Sequence, residues 1–288
     1  MVSFDLPTGV SYILEQLERH QFESYCVGGC VRDSLRGDTP HDWDIATSAT
    51  PDDVKSIFDQ RKIIDTGIQH GTVTLLLDDG QYEITTFRID GEYSDGRRPD
   101  SVSFSDDIII DLSRRDFTIN AMAYNPVRGL IDPFDGLSDL HSGTIKCVRD
   151  PYMRFSEDGL RILRAMRFAS TFGFEIDQLT ANAIHVHKNL LDRVSKERIN
   201  AELSRILIGI RVKDILIEFG DIMAQIIPQI GPCIGFEQKN PYHYLQVWEH
   251  TVLATSLVAD GVVLRLAMLL HDIGKPVAFT IDENDIGH

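Results

Sequence analysis

Two aspartates one residue apart, Asp42 and Asp44, close a stretch that opens on a glycine pair and an arginine: Tyr25-Cys-Val-Gly-Gly-Cys-Val-Arg32-Asp, a short spacer, then His41-Asp-Trp-Asp-Ile-Ala-Thr47. On an extended segment residues i and i+2 project from one face. The two carboxylates then point together while Trp43 turns into packing. Carboxylates held side by side repel unless a cation sits between them, and hard oxygen ligands of this kind suit Mg²⁺. The glycines let the backbone approach a ligand closely, and Arg32 can pair with phosphate. A divalent cation beside a phosphate cradle is the equipment of phosphoryl or nucleotidyl transfer.

Other groups could join this chemistry. Gln81, Glu83 and Thr85 share one face of an expected strand, where Glu83 is either a solvated edge residue or a third carboxylate for the metal. Ser113 is expected to cap a helix, with Asp116 three residues on as its capping-box partner. That would set Arg114 and Arg115 at a helix start, where cations are disfavoured and a bound anion would compensate. Asp158, Arg161, Arg164 and Arg167 advance by three, the spacing of a polar ridge along one helix. Three arginines to one carboxylate is a surplus of positive charge for a surface ladder, and a polyanion site is the expectation. Finally, His250 and His271-Asp272 carry side chains that can ligate a metal, although histidines on helices are also commonly structural.

The elements that must position these groups are read from periodicity and turn chemistry. Val10–Arg19 has apolar residues at helical spacing. Ser24–Val27 reads as a buried strand feeding the glycines, Val31–Leu35 as a helix ended near Gly37, and Asp42–Ala46 as a second strand. Thr50, Pro51 and Asp53 start a helix that carries Val54, Ile57 and Phe58 inward. Val73–Leu77 and Tyr82–Phe87 flank the Asp78-Asp79-Gly80 turn of a hairpin. Asp90–Asp100 reads as a mobile loop, and Thr144–Val148 as a short strand. From Tyr152 the pattern is helical, with amphipathic helices at Glu197–Ile208, Val247–Val258 and Val262–Leu270, and a loop at Gly231–Pro241 that suits a boundary.

Composition sets outer bounds. A chain of 288 residues with 43% hydrophobic content can bury a sizeable core and suggests two domains. No apolar run has the length of a membrane span, and the N-terminal residues lack the pattern of a secretory leader. Cys26, Cys30, Cys147 and Cys233 are scattered without zinc spacing and are expected as buried thiols of a cytoplasmic protein. A formal net charge of −16 argues against nonspecific nucleic-acid binding while leaving room for a local basic surface.

Gly-Gly-x-Val-Arg-Asp, Asp-x-Asp, Arg-Arg-Asp-Phe-Thr-x-Asn-Ala and Glu-Asp-x-x-Arg occur in that order over roughly residues 20–210. Together they resemble the class II tRNA nucleotidyltransferase and poly(A) polymerase family. The resemblance implies an α+β fold: a polymerase-β-like nucleotidyltransferase head, a mixed sheet with flanking helices, followed by an all-helical region. The expected divisions are a head at 1–148, a helical neck that binds RNA and nucleotide at 149–235, and the start of an HD-like helical domain at 236–288. It implies that Asp42 and Asp44 ligate Mg²⁺ and serve the transfer of nucleotides from CTP and ATP to the 3′ end of tRNA. Gly29 and Arg32 would take the triphosphate, and Arg115, Asp116 and Asn120 the nucleotide and its ribose. Asp158 and Arg161 would read the base, since one accepts and the other donates hydrogen bonds, with Arg164 and Arg167 extending towards the phosphates.

The Asp90–Asp100 loop lies where the family has a flexible loop needed to switch from C to A addition. Its presence favours a CCA-adding or A-adding enzyme over a CC-adding one. A poly(A) polymerase shares the chemistry and much the same motifs. His250, His271 and Asp272 resemble the beginning of an HD domain, which would take a second divalent metal and act as a phosphohydrolase. The usual HD set needs another aspartate well downstream, so the chain is expected to be a fragment. The third alternative is a noncatalytic RNA-binding protein on a decayed head, against which the intact Asp42-Trp43-Asp44 stands.

Overall fold

The computed structural model describes residues 4–287 except 92, 94, 95, 97, 98, 100, 260 and 285. Its contacts divide into two compact units, residues 1–142 with 146–150, and residues 143–145 with 151–288.

The first unit is built on a seven-stranded mixed sheet in the order β3-β4-β5-β2-β1-β8-β9. Its strands are β1 (Ser24–Val27), β2 (Asp44–Thr47), β3 (Lys62–Gly67), β4 (Thr72–Leu77), β5 (Gly80–Thr86), β8 (Ala123–Asn125) and β9 (Gly129–Ile131). β6 (Arg88–Asp90) and β7 (Val102–Phe104) pair separately as a small antiparallel ribbon. Most of the expected Asp90–Asp100 loop lies outside the described residues.

The helices of this unit are α1 (Thr8–Arg19), α2 (Gly29–Arg36), α3 (Pro51–Ile57), α4 (Ile108–Ser113) and α5 (Gly136–Ser142). α1 buries Val10, Ile13, Leu14 and Leu17, each worth about 1.5–3 kcal/mol over exposure. On one face of the sheet Tyr25, Val27, Ala46, Phe87 and Ala123 form a core with Ile108 and Leu112 of α4. Every residue of β1 is buried, which places the glycine turn that follows it at the end of a rigid central strand. The Thr50–Asp53 capping box forms with both of its hydrogen bonds, and Gly37 ends α2 in the left-handed conformation. Val54 and Phe58 are buried as expected, whereas Ile57 is only half-buried.

The expected helix start at Ser113 is not there. α4 is capped six residues earlier by Asp107, whose Oδ1 accepts from the Ile109 amide at 2.8 Å. Ser113 is its last residue, and its hydroxyl bonds back to the Ile110 carbonyl. Arg114 and Arg115 therefore follow a helix C-terminus, where the dipole favours cations, and a bound anion is not required to explain them. The expected strand at Thr144–Val148 is also shorter than its pattern: only Thr144–Ile145 is strand, in the second unit, and Cys147 makes an isolated bridge to Phe117.

The second unit is helical apart from the short parallel pair of β10 (Thr144–Ile145) and β11 (Glu175–Ile176). Its helices are α6 (Pro151–Glu157), α7 (Leu160–Phe172), α8 (Gln178–His187), α9 (Lys196–Leu207), α10 (Val212–Glu218), α11 (Gly220–Ile226), α12 (Val247–Leu257), α13 (Val262–Leu270) and α14 (Lys275–Ala278). α7 packs on α9 and α12 on α13, with Leu163, Met166, Leu203, Ile206 and Leu207 among the buried side chains. Asp158 is not on a helix. It lies in the break between α6 and α7, beside Gly159, so the expected continuous ridge is two separate pieces.

Candidate active site

Asp42 and Asp44 are exposed and Trp43 between them is buried. The alternation is that of an extended segment, although β2 itself begins only at Asp44. β2 runs parallel to β5, and this register sets Asp44 opposite Glu83. Glu83 is therefore a neighbour of the aspartate pair, not a distant edge residue. Partial desolvation raises the Asp44 carboxyl above its ordinary range; Arg115 opposes this and Asp42 adds to it. Glu83 is raised by desolvation and then by Asp44 and Asp42. Three mutually repelling carboxylates lie along one exposed edge; hard oxygens of this kind suit a divalent cation such as Mg²⁺, although the three do not converge within 4.8 Å of one another.

The glycine turn lies next to these carboxylates. Gly28 has φ +76° and caps α2, and a Cβ there would stand 2.7 Å from Arg115 Nη1. Gly29, the expected triphosphate position, is the first residue of α2 and has ordinary backbone. Arg32 is buried and donates through Nη1 to Asn120 Oδ1 at 2.5 Å and through Nε to Asp33 Oδ1 at 2.8 Å. Asn120 Nδ2 in turn donates to Asp116 Oδ1 at 3.0 Å, an oxygen that also accepts from the Phe117 amide. Arg32, Asn120 and Asp116 are thus one hydrogen-bonded network linking α2 to the turn after α4. Arg115 is less well satisfied. Its Nη2 lies 3.4 Å from Asp111 Oδ2, and its buried Nε has no hydrogen-bond partner among the described residues.

In the second unit the Arg161 amide donates to the Asp158 carbonyl at 3.0 Å, but their side chains take other partners. Asp158 Oδ1 accepts from the Leu160 amide at 3.0 Å and its Oδ2 from Arg198 at 2.9 Å. Arg161 pairs with Glu157, which Arg154 holds from the other side at 2.6 Å. Arg164 lies over the Phe168 ring, and Arg167 pairs with Glu202 at 2.6 Å. Glu157 and Glu202 supply countercharge to the ridge, so its apparent surplus of positive charge is smaller than spacing alone suggested.

Comparison with known proteins decides the family. Residues 24–146 match the Poly A polymerase head domain, and residues 173–231 match a second family described as "Probable RNA and SrmB- binding site of polymerase A". A curated CCA-adding enzyme of Lactococcus lactis subsp. cremoris (strain SK11) is 50% identical, covering 92% of this chain and 68% of its own. The chain belongs to the CCA-adding enzyme family. Another curated CCA-adding enzyme, from Enterococcus faecalis, is 47% identical over 198 residues, 69% of this chain and 48% of its own. The chain thus spans about half the length of several of the curated relatives it matches. The crystal structure of a Bacillus stearothermophilus CCA-adding enzyme in complex with CTP superposes with a TM-score of 0.69 at 33% identity, covering 94% of this chain and 71% of that one.

Membership in this family makes the HD-like residues a separate matter, because neither matched region reaches them. The structure does bring them together. His250 Nε2 and His271 Nε2 are 3.3 Å apart, and Asp272 Oδ2 lies 3.2 Å from His271 and 3.6 Å from His250. Among the described residues this is the one set of three metal-type donors within 4.8 Å of one another. Lys275 Nζ also reaches Asp272 Oδ2, at 2.8 Å. Desolvation lowers the His250 pKa, with His271 and Lys275 adding to the effect and Asp272 opposing it. A 330 Å³ cavity lined by Tyr242, His243, Tyr244 and Leu253 opens beside His250.

Several members of these sites were not legible from local pattern. Gly28 rather than Gly29 takes the positive φ, a distinction a glycine pair cannot make on its own. Asp111, Arg198 and Glu202 reach their partners from other turns or other elements, and no motif spacing ties them to the site. The four cysteines are buried and free, as expected; burial pushes Cys30 up to about 12 and Cys26 well above its ordinary value.

Proposed function

We propose that the protein is a Mg²⁺-dependent, template-independent nucleotidyltransferase that adds CCA to the 3′ end of tRNA from CTP and ATP. The observation that carries this reading is Arg115, an incompletely satisfied guanidinium set between the Gly28 turn and the Asp44 carboxylate. An anion accompanied by a divalent cation satisfies both sides of that arrangement, and a nucleoside triphosphate is such a ligand. Asp42 and Asp44 hold the cation, with Glu83 beside them. When bound, it supplies charge neutralisation to the attacking and leaving oxygens of an in-line displacement.

Arg32 and the backbone at Gly28–Gly29 receive the triphosphate, and Asp116 and Asn120 orient the ribose. Within the second unit, Asp158 would offer an acceptor and Arg161 a donor to a base edge, with Arg164 and Arg167 further along the same helix as Arg161. The names of the curated relatives, and CTP in the Bacillus stearothermophilus structure, favour CCA addition over polyadenylation. No helix among the described residues is long and apolar enough to cross a membrane, and four buried free thiols suit a reducing cytoplasm.

The experiment supplies Mg²⁺, a tRNA lacking its last three nucleotides, and CTP and ATP singly and together. Two C residues followed by one A support the proposal. A long A tail on an unrelated RNA would convert it to a poly(A) polymerase.

A second site has its own observation. His250, His271 and Asp272 form a donor set suited to a divalent transition metal, at which Lys275 stands as a competing cation. Metal-dependent phosphohydrolase activity is the reading that such a site supports. Titration with Mn²⁺ or Zn²⁺ followed by thermal unfolding tests it: a stabilisation lost in the His271→Ala, Asp272→Ala variant supports metal binding there, and an equal response in both proteins contradicts it.

A further inference from the structure

Asp111 is fully buried on α4, yet it belongs to no motif that touches nucleotide or metal. A buried carboxylate costs several kcal/mol unless it is paired, so its partners explain its presence. Its Oδ1 accepts from Arg114 Nε at 2.9 Å and from Arg114 Nη2 at 2.7 Å. Both bonds end on that one oxygen. The other oxygen, Oδ2, faces Arg115 Nη2 at 3.4 Å. Arg114 is held further by Asp90 Oδ2 at 3.6 Å, and Arg88 Nε pairs with Asp90 at 3.0 Å. Arg114 and its neighbours thus lock Asp111 in place and leave one of its oxygens aimed at Arg115.

Arg115 has little else to hold it. Its Nε is without a partner among the described residues, and its Nη1 packs against the bare Cα of Gly28. An arginine side chain fixed at one point on a flexible stem loses rotamer freedom on ordering. Ordering it beforehand removes that cost from the binding of an anion.

We infer that Asp111 is a positioning residue that holds the Arg115 guanidinium against the Gly28 turn, so that the nucleotide meets a preformed cation. The inference rests on the proposed reading of Arg115 as a nucleotide-binding arginine. It assigns Asp111 an effect on triphosphate binding and little effect on the chemical step, because the carboxylate lies behind the guanidinium rather than at the reacting atoms.

The test is a double-mutant cycle of Asp111→Asn and Arg115→Ala, read as KM and kcat for CTP incorporation, with circular dichroism to confirm folding. Asp111→Asn keeps the shape and removes the charge. It is expected to raise KM for CTP roughly 10-fold, the scale of one hydrogen bond to a charged group, with kcat within about 2-fold. In the Arg115→Ala background the same substitution is expected to change KM little, because its target is gone. Equal effects of Asp111→Asn in both backgrounds, or an unchanged KM in the first, overturn the inference while leaving the proposed function standing. If Asp111→Asn does not fold, Asp111→Glu keeps the charge, moves it by one methylene and enters the same cycle with the same criterion. A wild-type protein that incorporates no CTP defeats the proposed function and this inference with it.

Discussion

Asp44 and Glu83 sit opposite each other across the one parallel pairing in the seven-stranded sheet, among the described residues. Parallel pairing between strands distant in sequence is what turns a lone strand carboxylate into a neighbour of the aspartate pair. Both carboxyls are raised, chiefly by desolvation, and each is raised further by a nearby carboxylate. The folded protein therefore carries an electrostatic cost at this edge that a divalent cation would relieve.

Replacing Asp44 by Asn should abolish incorporation while improving the fold. A lost metal ligand removes several kcal/mol of transition-state stabilisation, on the order of 10³-fold in rate. In EDTA the variant should unfold at a higher temperature than the wild type, and added Mg²⁺ should stabilise it less. Thermal unfolding with and without Mg²⁺ gives the comparison; a variant destabilised in EDTA would argue against carboxylate repulsion at this edge.

The pH dependence has a definite sign. A carboxyl whose folded pKa lies above its unfolded value holds an extra proton in the native state between the two values. Its contribution to stability is then full below the ordinary carboxylate range and is lost as pH rises through the raised value. Buried Asp111 has the opposite sign: burial raises it, but Arg114 and Arg115 outweigh burial and leave it lowered. The difference in unfolding temperature between wild type and Asp44→Asn isolates the first effect. In EDTA it should be small near about pH 4 and widen in favour of the variant above the usual carboxylate pKa. A gap independent of pH would contradict the assignment.

Glu83→Gln separates a metal neighbour from a bystander. It should weaken Mg²⁺ activation roughly 10-fold, the lower end for groups that support a metal site, with the maximal rate largely kept at saturating Mg²⁺. Mg²⁺ titration of incorporation measures this, and an unchanged midpoint would return Glu83 to the status of an edge residue.

Gly28→Ala should cost about 1–3 kcal/mol of stability, because φ +76° is strained for any residue with a Cβ. It should also raise KM for CTP, since the added methyl would stand 2.7 Å from Arg115 Nη1. Chemical denaturation and steady-state kinetics read the two effects; a fully active, equally stable variant would remove the glycine turn from the site.

Local chemistry made some of this architecture legible and hid the rest for identifiable reasons. The Thr50–Asp53 capping box was readable because both partners lie within one turn of each other. The Ser113–Asp116 spacing matched the same pattern by coincidence, and Asp107, able to cap Ile109 two residues on, took the helix start instead. The expected Asp158–Arg167 helix starts only after Asp158 and Gly159, and the Asp158 side chain takes Arg198 from α9 as its partner while Arg161 takes Glu157. Glu202 likewise reaches Arg167 from α9. Pairings of that range are set by tertiary packing, which no periodicity records. Asp42, Asp44, Arg32, Asn120 and Asp116 could be singled out because their identities and spacing carry chemistry before any fold is known.

The central claim is that the carboxylates at Asp42 and Asp44 and the guanidinium at Arg115 form one metal–nucleotide site. Calorimetric titration of CTP tests it most directly, in Mg²⁺ and in EDTA, on the wild type and on Arg115→Ala. CTP should bind in Mg²⁺, and its affinity should fall at least roughly 10-fold when either the cation or the guanidinium is removed. Equal affinity under all of these conditions would contradict the claim.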